Sequence, residues 1–218
     1  MTTPIPLIGI GRHRLTTDGV GVTTLVAFHG CPLRCRYCLN PQCLQPDYFW
    51  RDVTVEKLLA EVAVDDLYFQ ATGGGITFGG GEPLLRSDFI ADFCHRKPAP
   101  WRITLETSLN VPRHRLETVF PHIDQYFVDI KDTHPDIYRS YTARDNAPVM
   151  ANLAWLAAQG AAEKVLIRLP HIPDYNTQAD VDRSRRRLEA LGFTHFDEFD
   201  YIKKQGALES GTAKCDGE

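Results

Sequence analysis

Three cysteines fall within eight residues, Cys31, Cys35 and Cys38, in the stretch Phe28-His29-Gly30-Cys31-Pro32-Leu33-Arg34-Cys35-Arg36-Tyr37-Cys38. Spacings of four and three put the thiols on one tight loop, where as thiolates they can converge on a common centre. Around an iron–sulfur cube they would hold three of its four irons and leave the last without a protein ligand, a place for chemistry. A structural zinc site is the other reading, with Cys43 or His29 as fourth ligand, although no second cysteine knuckle of the usual zinc pattern follows. A disulfide framework fits less well, because so tight a cluster in an intracellular-looking chain argues for metal.

Four further groups of residues could act on a ligand of such a centre. The segment Gly79-Gly80-Gly81-Glu82 lacks both the dinucleotide fingerprint and the P-loop lysine. Its bare backbone could lie flat against a ligand, with Glu82 fixing an amine; a turn forced by packing is the alternative. Asp129 and Lys131 stand two apart on one strand and so share a face, which lets Lys131 reach an anion; a structural Lys–Asp pair would look the same. Glu106, Thr107 and Asp129 are oxygen donors suited to a small hard cation. Arg168 could clamp a carboxylate or form a salt bridge to an acidic helix residue. The histidines show no metal-like spacing, and Cys43, Cys94 and Cys215 read as plain thiols.

Composition bounds the setting. The chain of 218 residues carries 24 Lys plus Arg against 28 Asp plus Glu, with no long run of either sign, which does not suggest nucleic acid as a partner. The run Arg183-Ser184-Arg185-Arg186-Arg187 reads as the solvated face of a helix. The first residues do not pair a basic stretch with an apolar one, and no segment reaches membrane-spanning length, so the reading is cytoplasmic, with no membrane partner and a reducing compartment for the thiols.

Residues 9–21 read as a turn-rich lead-in, and the apolar, β-branched run Val22 to Phe28 as a buried strand from which the cysteine loop departs. Thr54 is a plausible cap for a helix carrying Val55, Leu58, Leu59 and Val62 on one face, and Ser87 for one carrying Phe89, Ile90 and Phe93. Further strands are expected at 74–78, 101–107, 126–131, 164–169 and 196–201, with helices after Pro112, over 147–159 and over 178–191. Six strands alternating with helices indicate one α/β domain with a parallel sheet. Periodicity does not decide between an open doubly wound sheet and a partial barrel. The placement of Cys31, Glu82, Glu106, Asp129, Lys131 and Arg168 at or just past successive strand ends favours an incomplete six-stranded barrel, because those ends surround a single cavity. The domain is expected over 1–204, with 205–218 a flexible tail.

With these residues in place, Cys31-x-x-x-Cys35-x-Tyr37-Cys38 resembles the signature of radical S-adenosylmethionine (radical SAM) enzymes. In order, Thr17-Asp18-Gly19-Val20-Gly21, Phe28-x-Gly30-Cys31, Gly73-Gly74-Gly75-Ile76-Thr77, Gly79-Gly80-Gly81-Glu82-Pro83, Glu106-Thr107-Ser108, Asp129-Ile130-Lys131 and Arg168-x-Pro170-x-Ile172-Pro173-x-Tyr175-Asn176 resemble glycyl-radical enzyme activases of the pyruvate formate-lyase activating type. The resemblance implies a partial (β/α)6 barrel and a [4Fe-4S] cluster on Cys31, Cys35 and Cys38, with S-adenosylmethionine chelated to the open iron. It also implies reductive cleavage of that cofactor to a 5′-deoxyadenosyl radical, which takes a hydrogen from a glycine Cα of a partner glycyl-radical enzyme. By position, Gly80, Gly81 and Glu82 would hold the methionine amine, Lys131 and Arg168 its carboxylate, and Tyr37 would back the adenine. Asp18 would face the substrate peptide, while Glu106, Thr107 and Asp129 correspond to a monovalent-cation site. Flavodoxin or ferredoxin is the electron donor implied.

The chain departs from the family pattern where Glu106 replaces the usual Asp and where Ile202 stands in place of a histidine. It also stops soon after the sixth strand without the helix that normally follows, so the barrel is expected to be truncated and open there. Two other functions remain: a radical SAM synthase or maturase acting on a small molecule or peptide, and a non-enzymatic iron–sulfur or zinc protein.

Overall fold

The computed structural model describes residues 3–15 and 17–202. One eight-stranded sheet organises them, built from β1 (Ile5–Arg14), β2 (Thr23–Phe28), β3 (Arg51–Val53), β4 (Gly75–Gly80), β5 (Arg102–Thr107), β6 (Gln125–Asp129), β7 (Val165–His171) and β8 (His195–Asp200). The spatial order is β3-β1-β2-β4-β5-β6-β7-β8. From β2 onward every neighbouring pair is parallel, so the six strands expected from the sequence lie side by side in chain order. Parallel neighbours need crossovers, and helices supply most of them: α1 (Val55–Val62), α2 (Asp66–Thr72), α3 (Ser87–Arg96), α4 (Arg113–Val119), α5 (Pro135–Thr142), α6 (Ala147–Ala158) and α7 (Gln178–Glu189). Among the described residues the sheet stays unclosed at β3 and β8, which makes it an open (β/α)6 layout.

Alternation along the strands separates the core from the site. Phe28, Phe78, Leu105, Val128 and Ile167 are buried in the main apolar cluster, where the rings of Phe28, Phe78 and Phe93 stack and cross at 5.4 and 5.3 Å. Residues of the opposite parity form a row across the sheet: Glu106 is level with Phe127, Asp129 with Arg168, and Arg168 with Asp197. Parallel register, fixed by the crossovers, therefore brings side chains up to some ninety positions apart into one wall.

Local signals behave as the residues dictate. Thr54 accepts from the Lys57 amide and caps α1. Gly160, at φ 71°, follows the end of α6 in the left-handed region. Ser87 does not cap α3; a 3-10 turn over Pro83–Arg86 runs straight into that helix, and Ser87 is its first residue.

The main departure is β1. Residues 5–14 form a strand antiparallel to both β2 and β3, where a turn-rich lead-in was expected over 9–21. Glycines at 9 and 11 weaken the strand signature, and register shifts between Leu7 and Gly9 and between Gly11 and Arg14 let the strand continue past them. Ile5 and Leu7, both buried, anchor it. The tail expected over 205–218, and whatever follows the sixth strand past 202, lie outside the described residues.

Candidate active site

The C-terminal ends of the parallel strands open into a cavity of about 500 Å³. Its wall carries Cys31, Cys35 and Cys38 from the loop after β2, and Gly80, Gly81 and Glu82 from the end of β4. Glu106 and Thr107 from β5, Asp129 and Lys131 from the end of β6, and Arg168 from β7 complete the predicted set. The sequence-predicted residues outside this wall are Asp18 and Tyr37.

Cross-strand backbone bonds fix the cysteine loop against the glycine loop. The Gly81 amide donates to the Phe28 carbonyl at 2.9 Å and the Glu82 amide to the Gly30 carbonyl at 2.8 Å. Only glycine fits so close an approach: a Cβ at Gly81 would lie 2.1 Å from the Gly30 oxygen, and Gly80 has φ 90° with Ala27 beside it. From the other side, the Arg34 and Arg36 amides donate to the Thr142 and Tyr141 carbonyls at the end of α5.

The two candidate fourth ligands are engaged elsewhere. Cys43 is buried, its thiol donating to the Phe28 carbonyl, and the His29 Nε2 is bonded to the Gln45 carbonyl. Neither lines the cavity. Three thiols facing an open cavity suit a cluster with one iron left for an exogenous ligand, and do not suit a closed tetrahedral zinc site. Burial pushes the Cys31 thiol up to about 12, with Glu82 adding to the rise, and the Cys35 thiol up to about 11, with Lys131 opposing. Buried thiols of this kind stay neutral until a cationic centre inverts the local preference.

Glu82 is wholly committed inside the chain. One carboxylate oxygen accepts from the Leu84 amide at 3.2 Å and the Thr107 hydroxyl at 2.6 Å; the other accepts from the Ser108 amide at 2.9 Å and hydroxyl at 2.6 Å. With its lone pairs filled, the side chain ties the glycine loop to the β5 end. Burial raises its carboxyl above the usual range, and the Ser108 and Thr107 bonds pull it back. Glu82→Gln would turn an amide nitrogen toward two of these donors, so a destabilisation of about 2–4 kcal/mol is expected, read from the urea midpoint.

The charged row is paired. Arg168 forms an ion pair with Glu106, donates to the Thr17 carbonyl at 2.7 Å and lies over the Phe127 ring at 4.6 Å. The salt-bridge alternative therefore describes Arg168, with β5 rather than a helix supplying the acid. Lys131 lies 3.7 Å from Asp129. Burial works against the Lys131 charge, but Asp129 and then Cys35 outweigh it and raise its pKa. Glu106 and Asp129 thus each face a side-chain cation, and the Thr107 hydroxyl donates to Glu82.

Asp18 and Tyr37 have other surroundings. Asp18 is buried and bonded through both carboxylate oxygens to Arg14, at 2.5 and 3.1 Å, and its neighbour Thr17 lines the cavity instead. Tyr37 donates to Asp174 at 2.9 Å and packs edge-on against Tyr141 and Tyr175. Sequence reasoning missed Asn40, Ser108, Tyr141, Asp197 and Tyr201 on the wall. The Glu-Thr-Ser run pointed toward Ser108, and the period-2 pattern of the last strand pointed toward Asp197 and Tyr201. Ile202 faces outward and is largely exposed.

Residues 25–183 match the family described as the radical SAM superfamily. The chain belongs to the radical SAM superfamily. Among relatives of this radical SAM protein is the (2S)-3-sulfopropanediol dehydratase activating enzyme of Klebsiella oxytoca, 27% identical over 220 residues, covering 73% of this chain and 69% of that one. Another is the pyruvate formate-lyase-activating enzyme of Staphylococcus aureus, 31% identical over 172 residues, covering 76% and 68%. The radical SAM chain is therefore an enzyme of the activating type, and its superfamily implies a [4Fe-4S] cluster and S-adenosylmethionine. The fold superposes on Streptococcus suis SuiB bound to the precursor peptide SuiA with a TM-score of 0.64 at 10% identity, covering 87% of this chain. The present chain spans 41% of SuiB, and the likeness concerns the fold alone.

Proposed function

We propose that this protein installs a glycyl radical on a partner glycyl-radical enzyme, using S-adenosylmethionine held at a [4Fe-4S] cluster on Cys31, Cys35 and Cys38. The observation that carries the reading is that three thiols face an open cavity while Cys43 and His29 are bonded elsewhere. Relatives named as activating enzymes supply the substrate class. Held by Cys31, Cys35 and Cys38, such a cluster would supply one-electron reductive cleavage of S-adenosylmethionine and with it the radical chemistry that would remove a hydrogen atom from the glycine.

The chain's own residues bind and orient. Gly80 and Gly81, packed without side chains against Ala27 and Gly30, line the wall beside the cysteine loop, where the cofactor's methionine end would lie. Lys131, kept charged by Asp129, faces the carboxylate. Glu82 holds the glycine loop rigid through Thr107 and Ser108. Arg168 supplies the positive charge beside Glu106 that a monovalent cation would otherwise supply. The partner's glycine loop enters through the open mouth, and flavodoxin or ferredoxin delivers the electron from outside.

The test is an anaerobic mixture of reconstituted protein, S-adenosylmethionine, reductant and a candidate glycyl-radical enzyme, read by electron paramagnetic resonance. A doublet from coupling to the remaining glycine hydrogen is expected. Cofactor cleavage without that doublet, across the glycyl-radical enzymes tried, would assign the radical to another substrate.

A further inference from the structure

The sixth parallel strand ends on a contact that no family-level role requires of it. Asp197, Phe199 and Tyr201 alternate onto the cavity wall, and Tyr201, just past β8, reaches across the mouth to the cysteine loop. Its hydroxyl donates to the Tyr37 carbonyl, the peptide that leads directly into Cys38. The two rings lie nearly parallel, 30° apart with centroids at 6.3 Å. The Tyr201 amide is fixed in turn by the His171 carbonyl at 2.9 Å, so the phenol projects from a backbone paired to β7. Tyr37 has its own second anchor through Asp174, on the loop that follows β7.

We propose that Tyr201 is the positioning residue that latches the Cys38 end of the cysteine loop to β8, the last strand of the described sheet. The two ends of that loop are held differently. Its Cys31 end continues from β2 and is braced by the Gly30 carbonyl bond from Glu82. Its middle is bonded to the end of α5 through Arg34 and Arg36. Beyond Cys38 the backbone turns away toward the 3-10 turn at Pro41–Leu44, and the Tyr37 carbonyl is where β8 meets it. A ligand loop must hold its thiols in one geometry for a centre to be bound tightly and with a defined potential, and outer hydrogen bonds of this kind commonly change metal affinity 10–100-fold. Among the described residues β8 is an edge strand with one sheet neighbour, so the same bond also pins that strand against the site.

This inference rests on the proposed cluster for its consequence but not for its test. Tyr201→Phe keeps the ring against Tyr37 and removes the hydroxyl alone. In cluster-free protein, amide hydrogen exchange of the 36–40 segment is expected to speed up about tenfold in Tyr201→Phe, with β4 to β6 unchanged. In reconstituted protein, retention of iron and sulfide through gel filtration should fall about 10-fold or more and the cluster's midpoint potential should shift. Tyr201→Leu, which also removes the ring, should exceed Tyr201→Phe in both readouts. Wild-type exchange over 36–40 together with unchanged retention and potential in Tyr201→Phe would overturn the latch. If exchange rises but no preparation cleaves S-adenosylmethionine, the latch stands and the functional reading fails.

Discussion

Cys35→Ala is expected to lose essentially all iron–sulfur absorption and all cleavage of S-adenosylmethionine, whereas Cys43→Ala keeps both near wild-type levels. The contrast follows from where the two thiols point. Cys35 lines the cavity with Cys31 and Cys38, so its loss leaves two ligands where three are needed. Cys43 is buried on the far side of the loop with its thiol on the Phe28 carbonyl; Ala there removes a weak bond and a small apolar volume. Iron and sulfide content per chain, with the visible spectrum, checks both variants. Cluster loss in Cys43→Ala would mean that the cysteine loop closes on a fourth thiol and has no open iron.

The second large effect is expected at Gly81. An added methyl would meet the Gly30 carbonyl oxygen at 2.1 Å and the Phe28 oxygen at 3.0 Å, both backbone atoms that cannot swing aside. Gly81→Ala must therefore part the glycine loop from the cysteine loop, breaking the paired bonds from the Gly81 and Glu82 amides. The cost falls at the upper end for overpacking, about 3 kcal/mol, measured by chemical denaturation. Because the two loops form adjoining walls, the variant should also bind S-adenosylmethionine at least 10-fold more weakly by equilibrium titration. Gly73→Ala is the control: nothing lies within 4 Å of its Cβ, though its φ of 67° keeps a milder backbone strain.

What the sequence made legible was whatever depends on neighbours in the chain. The buried strand from Thr23, the thiol spacing, the Thr54 cap and the glycine after α6 are local, and each is present in the fold. The parallel order of six strands followed from alternation with helices, because crossovers leave few arrangements open. What the sequence could not give was pairing between groups far apart. Glu82, read as fixing an amine or as part of a packing turn, bonds Thr107 and Ser108, and Arg168, read as a clamp or half of a salt bridge, meets Glu106 across the parallel sheet. The resemblance implied that Asp18 would face the substrate peptide; in the fold it is buried and paired with Arg14, four residues back and at the end of an unrecognised strand. That strand was hidden by its own glycines. The period of the last strand pointed toward Tyr201, but not to its partner, a backbone carbonyl 164 positions away.

No helix among the described residues is long and apolar enough to cross a membrane; the decisive assay is made on the purified chain. That assay is single-turnover cleavage: anaerobically reconstituted protein, reduced and mixed with S-adenosylmethionine, followed by quantification of 5′-deoxyadenosine and methionine. The account predicts both products in equal amounts, at a level set by cluster content and absent from Cys35→Ala. A protein carrying a full complement of reduced cluster that yields neither product would contradict it.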